Sequence, residues 1–576
     1  MHLQGISASP GVVHGRAVLF TRPELPVITG PGAGIEFERA RLSQAVKAAV
    51  LELVNLKEKT RAHLGDEYAH ILRSQQTIAE DECILGEVEE ILRESSVCAE
   101  EALRTVFDNY RSLFAELNDD DYNKGRAADI EDVYKRILRQ LLGVGEINLS
   151  NLAPNSIIVA EELYPSDTVL MDTGQVDGIV TERGGPTSHV AILAKNLGIA
   201  AAVRVGNALA SIRENDVLVL DTADIDEARV FVNPDARTRH QLVVRGEELA
   251  RHRDRVARYR GEPAVTPDGF SIELSANVGS TAELDPAVTA GAGSIGLYRS
   301  EFLFLNSAVL PDEDVQYEAY RRAAETFREG SVIVRTLDVG GDKQLPSITL
   351  GREDNPFLGN RALRLSLSRP MLFRTQLRAI LRASAVGNVK LMFPMVGGIP
   401  ELAEALKAVE RVKAELRAEG EEYDADIEIG IMVEIPSAVW VADALASRVS
   451  FFSVGTNDLT QYLMAADRLN GDVEQYYRAF DPSVFRAIRQ VVTAAEQRER
   501  WVGVCGELGG SPLAIPALIG LGVTELSMSP SSLAEATWLI RTTPMKEARN
   551  LAESVLSLDS HTEIKALLEE FYAAKE

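Results

Sequence analysis

Ile431-Met432-Val433-Glu434-Ile435-Pro436 and, after it, Phe451-Phe452-Ser453-Val454-Gly455-Thr456-Asn457-Asp458-Leu459 set the pattern of this chain's second half. Each begins as a short apolar run of the kind that makes a strand buried on both faces. Each run gives way to a carboxylate and then to a helical pattern. The same rhythm repeats on either side. Candidate strands are Ser271–Val278, Ser294–Arg299, Val332–Leu337, Val389–Pro394, Ile427–Val433, Phe451–Gly455, Val502–Cys505 and Glu525–Met528. Strands alternating with helices in this number predict a (β/α)8 barrel, with an open doubly wound sheet as the alternative. A barrel carries its chemistry where strands end, at the C-terminal face.

The unusual polar residues stand at those ends. Arg299 closes Gly296-Leu297-Tyr298-Arg299, Arg335 closes Val334-Arg335, Arg361 follows in Gly359-Asn360-Arg361, and Arg468 lies in Asp467-Arg468-Leu469. One such arginine reads as a surface ion-pair residue. Arginines at several strand ends read as an anion site, because each guanidinium holds a carboxylate or phosphate by paired bonds. Glu434 and Asp458 follow adjacent strands beside them, an arrangement suited to Mg²⁺, which takes one or two protein carboxylates and completes its shell with substrate oxygens and water. Service as arginine partners alone is the alternative for either carboxylate. Cys505 ends the seventh strand in Gly503-Val504-Cys505-Gly506-Glu507. A lone cysteine there is ordinarily a small core residue; at this mouth it would also be placed to donate a proton.

Upstream, Gly184-Gly185-Pro186-Thr187-Ser188-His189 runs into Val190-Ala191-Ile192-Leu193-Ala194-Lys195. A diglycine turn delivers His189 to the first turn of an apolar-periodic helix, where free N–H groups and the helix dipole favour an anion. A largely neutral imidazole there suits a histidine that carries a phosphoryl group. Around it the strands Gly11–Phe20, Ser156–Ala160, Gly178–Thr181, Ala200–Val203 and Val217–Asp221 predict a small α/β domain. Its first strand precedes a proline-free helical insert from Gly32 to Ala153. Leu42, Val46, Ala49, Leu53 and Leu56 share one helix face, as do Val88, Ile91 and Leu92, and Val133, Ile137 and Leu141. A charged linker helix is expected over Ala236 to Arg260. The expected domains are therefore 1–24 with 144–233 (α/β), 25–143 (helical bundle), 234–262 (linker helix) and 263–576 (barrel).

A chain of 576 residues is too long for one core. Lys and Arg number 60 against 86 Asp and Glu, a formal charge of −26. That balance disfavours nucleic acid or an anionic membrane as main partner and favours a basic protein or a cation. Cys83, Cys98 and Cys505 show neither metal spacing nor a disulfide framework. No signal-like start and no bilayer-length apolar run are present, so a cytoplasmic protein without membrane insertion is expected.

The Gly184–Lys195 stretch resembles the phosphohistidine motif shared by Enzyme I of the bacterial phosphotransferase system and by the pyruvate phosphate dikinases. Pro186 stands where an arginine is frequent, and Lys195 where arginine is usual. The barrel segments resemble the phosphoenolpyruvate-binding barrel of Enzyme I, Asp121–Asp129 is similar to that family's helical domain, and the resemblance covers nearly the whole chain. It implies phosphoryl transfer from phosphoenolpyruvate to His189 and then to a histidine of the carrier protein HPr, releasing pyruvate, as the first step of sugar uptake. It also implies Arg299, Arg335, Arg361 and Arg468 as substrate clamps, Asn457 and Asp458 as further substrate contacts, Glu434 and Asp458 as Mg²⁺ ligands, and Cys505 as proton donor. Asn360 replaces a usual aromatic and Leu469 a usual glycine. A homodimer through the barrel is implied by the family alone. A dikinase would need a nucleotide-binding domain, for which nothing before His189 offers a P-loop. The other alternative is a regulatory phosphocarrier of the nitrogen-related branch, which usually carries an added N-terminal sensor domain. The acidic set Asp66, Glu67, Glu80, Asp81 and Glu82 is expected either to face HPr or to form a solvated helix face.

Overall fold

The computed structural model describes residues 1–21, 26, 28–64, 75–116, 121–144, 149, 152–163, 167, 171, 174–185, 191, 194, 198–223, 227–305, 309–341, 353–468, 470 and 472–575. The chain divides into two units, Met1–Arg251 and His252–Glu576. No described helix is long and apolar enough to cross a membrane.

In the first unit β1 (His2–Ser9), β2 (Val12–Phe20), β3 (Ser156–Ala160), β4 (Val176–Thr181), β5 (Ala200–Val203), β6 (Val217–Asp221) and β7 (Ala228–Val232) close into a barrel. Its order is β1-β5-β4-β3-β2-β6-β7. Strands β2 to β5 pair in parallel, and β1, β6 and β7 complete the ring with antiparallel pairs. The sequence reading anticipated neither β1 and β7 nor this closure. Alternation explains it: Ile157, Val159, Val180, Ala202, Leu218, Leu220 and Val230 join one cluster that draws on strands all round the ring. In a closed sheet only the inner face allows that. The outer-facing Ile158, Ile179, Ala201 and Val203 pack instead with Ala191 and Ala194.

Between β2 and β3 the chain inserts α1 (Ile35–Leu64), α2 (Glu82–Ser95), α3 (Ala99–Glu116) and α4 (Asp121–Leu142). The apolar stripes read from sequence do meet: Leu42, Ala49, Leu53, Val88, Leu92, Val133 and Ile137 are buried in one core, with Val46, Ile91 and Leu141 at its margin. Asp81 caps α2, accepting the N–H groups of Cys83 at 2.8 Å and Ile84 at 3.2 Å. That carboxylate therefore satisfies helix-end donors. Asp66 and Glu67 lie outside the described residues.

α5 (Ala236–Ala257) leads out of the first unit and ends a turn earlier than expected. The second unit holds β8 (Glu273–Val278), β9 (Ser294–Arg299), β10 (Val332–Arg335), β11 (Val389–Phe393), β12 (Ile429–Val433), β13 (Phe451–Gly455), β14 (Trp501–Cys505) and β15 (Glu525–Met528). All pair in parallel and β15 returns to β8, closing the expected (β/α)8 barrel. β10 stops short of Leu337 because the Leu337 N–H bonds to Gln376 Oε1 at 2.8 Å instead of to a strand. Intervening helices start on local signals. Asp312 and Asp481 cap Glu313–Thr326 and Pro482–Glu496, and proline opens the latter, where a missing N–H costs nothing. Outward-facing strand residues form the large core with the helices. A separate inner cluster of Leu297, Ile333, Met392, Met432, Phe451 and Cys505 lies within the ring.

Candidate functional site

The C-terminal mouth of the eight-stranded barrel gathers buried opposite charges. Arg335 ends β10, in register with Arg299 at the end of β9. It donates from Nη2 to Glu301 Oε1 at 2.6 Å, and its Nη1 lies 3.2 Å from Asp338 Oδ2. Arg361 donates from Nη2 to the other Asp338 oxygen at 3.1 Å and from Nη1 to the Tyr462 hydroxyl at 3.4 Å. Asp338 thus bridges the two guanidiniums. Burial works against charge on both arginines, but Glu301 and Asp338 around Arg335, and Asp338 and Asp458 around Arg361, more than offset it and hold both firmly protonated. The backbone is shaped to seat Arg361. Gly340 has φ +107°, and a methyl there would lie 2.6 Å from the Arg361 Cβ. Ala362, the residue after the arginine, is held at φ +52°.

Glu434 follows β12 and is 1% exposed; Asp458 lies in the helix Thr456–Met464 after β13 and is 8% exposed. Glu434 Oε1 accepts the Met395 N–H at 2.5 Å. Burial first, then Asp458 and Asp338, push the Glu434 carboxyl up, while Arg335 and Arg361 pull it down. Asp458 Oδ1 lies 3.6 Å from Arg361 Nη1, yet it is buried without a hydrogen-bond partner. Two buried carboxylates, of which Asp458 raises the pKa of Glu434 and itself bears an orphaned oxygen, fit a divalent cation. No group of three or more possible protein ligands occurs among the described residues. The fit is therefore to an ion that takes few protein ligands, as Mg²⁺ does.

Cys505 ends β14, 2% exposed, its thiol facing the Val454 carbonyl at 3.7 Å. Burial pushes its pKa up to about 12, so the sulfur keeps its proton at neutral pH. Asn457 Oδ1 accepts the Glu507 N–H at 3.0 Å, which ties the loop after β14 to the helix after β13. Arg468 is half-buried and hydrogen-bonds through its backbone N–H to Gln461 Oε1 at 3.1 Å. Arg299 is half-buried. In the first unit His189, Pro186 and Lys195 lie outside the described residues, as does Leu469 in the second. Of the described residues flanking that stretch, Gly184 has φ +96°, and Ala191 and Ala194 are helical and buried.

The chain is 39% identical over 572 residues to the phosphoenolpyruvate-protein phosphotransferase of Listeria monocytogenes serovar 1/2a, with 99% of each chain covered. It is 40% identical over 570 residues to the protein of that name from Bacillus subtilis strain 168, again covering 99% of both. The chain belongs to the phosphoenolpyruvate-protein phosphotransferase family. Three family descriptions divide it: a PEP-utilising enzyme N-terminal domain at residues 4–126, a mobile domain at 152–224 and a PEP-binding domain at 253–545. Among solved structures, a solution structure of Enzyme I matches 43% of this chain and 99% of its own at 34% identity, with a TM-score of 0.39.

Within the part that matches the family's PEP-binding domain, the structure brings Arg335, Arg361, Glu434, Asp458 and Cys505 to one mouth, with Arg299 beside Arg335. Glu301, Asp338 and Tyr462 were not singled out in the sequence. Glu301 and Asp338 each stand just after an arginine that ends a strand, a placement that signals a charge partner at a buried rim.

Proposed function

We propose that the chain carries out phosphoenolpyruvate-dependent phosphoryl transfer, with the mouth of the β8–β15 barrel as the donor site and His189 as the acceptor. The observation that carries this is the pairing of two buried arginines with two buried carboxylates at the catalytic face of a barrel. Arg299, Arg335, Arg361 and Arg468 hold the carboxylate and phosphate of phosphoenolpyruvate, with Asn457 and Asp458 as further contacts. Glu434 and Asp458 would hold Mg²⁺, which when bound neutralises phosphate charge. Phosphoryl transfer needs alignment and charge neutralisation more than covalent help, and a buried, pre-paired rim supplies both.

In the reaction a neutral imidazole nitrogen of His189 forms a bond to phosphorus as the bond from phosphorus to the enol oxygen breaks. The electron pair leaves on the enolate. Cys505, protonated because it is buried, gives its proton to the enolate methylene carbon, and pyruvate results. The phosphoryl group then passes to a histidine of HPr, in the sugar branch of the phosphotransferase system.

His189→Ala tests the reading. With labelled phosphoenolpyruvate and Mg²⁺, the full chain should acquire an acid-labile, alkali-stable phosphoryl group and the variant none, with its thermal unfolding unchanged. Undiminished labelling of the variant would end the proposal.

A further inference from the structure

One ionisable side chain within the eight-stranded barrel takes no part in the chemistry above. Glu525 opens β15 and is 2% exposed, and Ser275 is the side chain set to hydrogen-bond its carboxyl, at a geometry short of an ordinary bond. Such a group needs a reason, because buried polar atoms are nearly always satisfied. The strand register shows where it points. Ser453 on β13 pairs with Gly503 on β14, Gly503 pairs with Glu525, and Glu525 pairs with Glu273 on β8. One inward-facing row higher, Cys505 pairs with Ser527, and Ser527 with Ser275.

Glycines leave the space into which the carboxyl extends. A methyl on Gly503 would lie 2.0 Å from Glu525 Oε2, so that oxygen occupies the place of the side chain residue 503 lacks. This is the inward-facing position immediately below Cys505 on the same strand. A methyl on Gly296 would lie 2.3 Å from Oε1 and 2.4 Å from the Ser527 hydroxyl. Ser527 in turn donates to Asn277 Oδ1 at 2.5 Å. The buried hydroxyls of Ser275 and Ser453 stand against Glu525 and Cys505 respectively. Buried polar atoms in this number lie beside and below the thiol, where a packed apolar floor would be the ordinary arrangement.

We propose that Glu525 is the proton store of Cys505: its carboxyl returns a proton to the sulfur after each enolate has been protonated. The inference rests on the reading of Cys505 as the proton donor. In the step the O–H bond of Glu525 breaks and the S–H bond of Cys505 re-forms, leaving a carboxylate, with no change of oxidation state. Solvent then restores the carboxyl from the opposite end of the barrel, where Glu273 is exposed in register with Glu525.

The direction of transfer follows from relative basicity. Burial pushes Glu525 up to about 8 against the opposing pull of Ser275, and pushes Cys505 up to about 12. A thiolate at Cys505 is therefore the stronger base and takes the proton. Glu273 from β8 and Lys390 from β11 are the charged groups facing Glu525. Arg335 from β10 and Glu434 after β12 face Cys505.

Glu525→Gln keeps the shape and removes the transferable proton. With the full chain, Mg²⁺, phosphoenolpyruvate and saturating HPr, the first pyruvate per site should form at the normal rate, because Cys505 starts protonated. Later turnovers should slow at least tenfold, with KM for phosphoenolpyruvate unchanged. Glu525→Asp, which keeps an acid, should restore part of the rate and the fall in rate above about pH 8. An unchanged steady state in Glu525→Gln would overturn the inference. So would slowing of the first turnover as much as the later ones, the mark of a structural defect. Should Glu525→Gln not fold, a Glu525→Asp variant with the same rate and pH profile as Glu525→Ala would overturn it equally. Cys505→Ala, run in parallel, separates the two readings: pyruvate formed by that variant at full rate removes the donor assignment itself, whatever Glu525→Gln does.

Discussion

The ring in Met1–Arg251 turns Ile157, Val159, Val180, Leu218, Leu220 and Val230 inward. The inner rows of the ring in His252–Glu576 instead include Ser275, Ser453, Glu525 and Ser527, all buried, below a mouth of arginines and carboxylates. Both sheets are closed, so neither exposes an edge and neither needs its interior for anything but packing. The aliphatic interior gives a rigid platform with nothing to titrate. The polar interior is expensive, since each buried ionisable group must be neutralised or paired. A cost of that kind is retained in the ring whose mouth gathers paired arginines and carboxylates and not in the aliphatic ring.

Four substitutions test that contrast. Arg335→Ala removes the guanidinium that bonds to Glu301 and leaves Asp338 with Arg361 at the buried rim. It should cost about 3–5 kcal/mol in denaturant unfolding of the full chain, whereas Arg299→Ala, at a half-buried position, should cost far less. Equal losses would mean the rim is not an ion-paired network. Next comes Glu525→Gln. A carboxyl whose folded pKa is raised to about 8 contributes stability that is complete below the unfolded value and disappears as pH rises through the folded one. The native chain should therefore lose roughly 2–4 kcal/mol between about pH 5 and about pH 9 that the variant does not lose. Parallel stability curves for the two proteins would show that Glu525 does not titrate in this range. The smallest effect belongs to the aliphatic ring. Ile157→Val should cost about 1 kcal/mol, measured as a shift in thermal midpoint, with transfer from phosphoenolpyruvate unchanged.

Much of the second barrel was legible because strands buried on both faces are apolar runs, and a polar residue ending such a run stands out. Arg335, Glu434 and Cys505 were visible on that ground, and Arg361 in the segment that follows β10. Glu301 and Asp338 were not, because a carboxylate beside an arginine looks the same in sequence whether the pair is buried or solvated. Glu525 was hidden for a different reason: it begins a strand, where polar residues are ordinary, and only the register shows it under Cys505. In the first unit β1 escaped because Gly5, Ser7 and Ser9 interrupt its apolar pattern, and β7 because it is short and carries Arg229. Closure depended on β1 meeting β5 and β7, pairings between distant segments that no local pattern displays.

The left-handed alanine after Arg361 bears on how the proposed donor site would meet its ligand. At φ +52° Ala362 sits where a side chain costs roughly 1–2 kcal/mol, and glycine would relieve that strain. Glycine would also free the hinge on which Arg361 turns. With alanine, the guanidinium has already surrendered its orientational freedom when an anion arrives, and the entropy of fixing it is not charged against binding. Ala362→Gly should thus yield a sturdier protein that holds phosphoenolpyruvate less tightly.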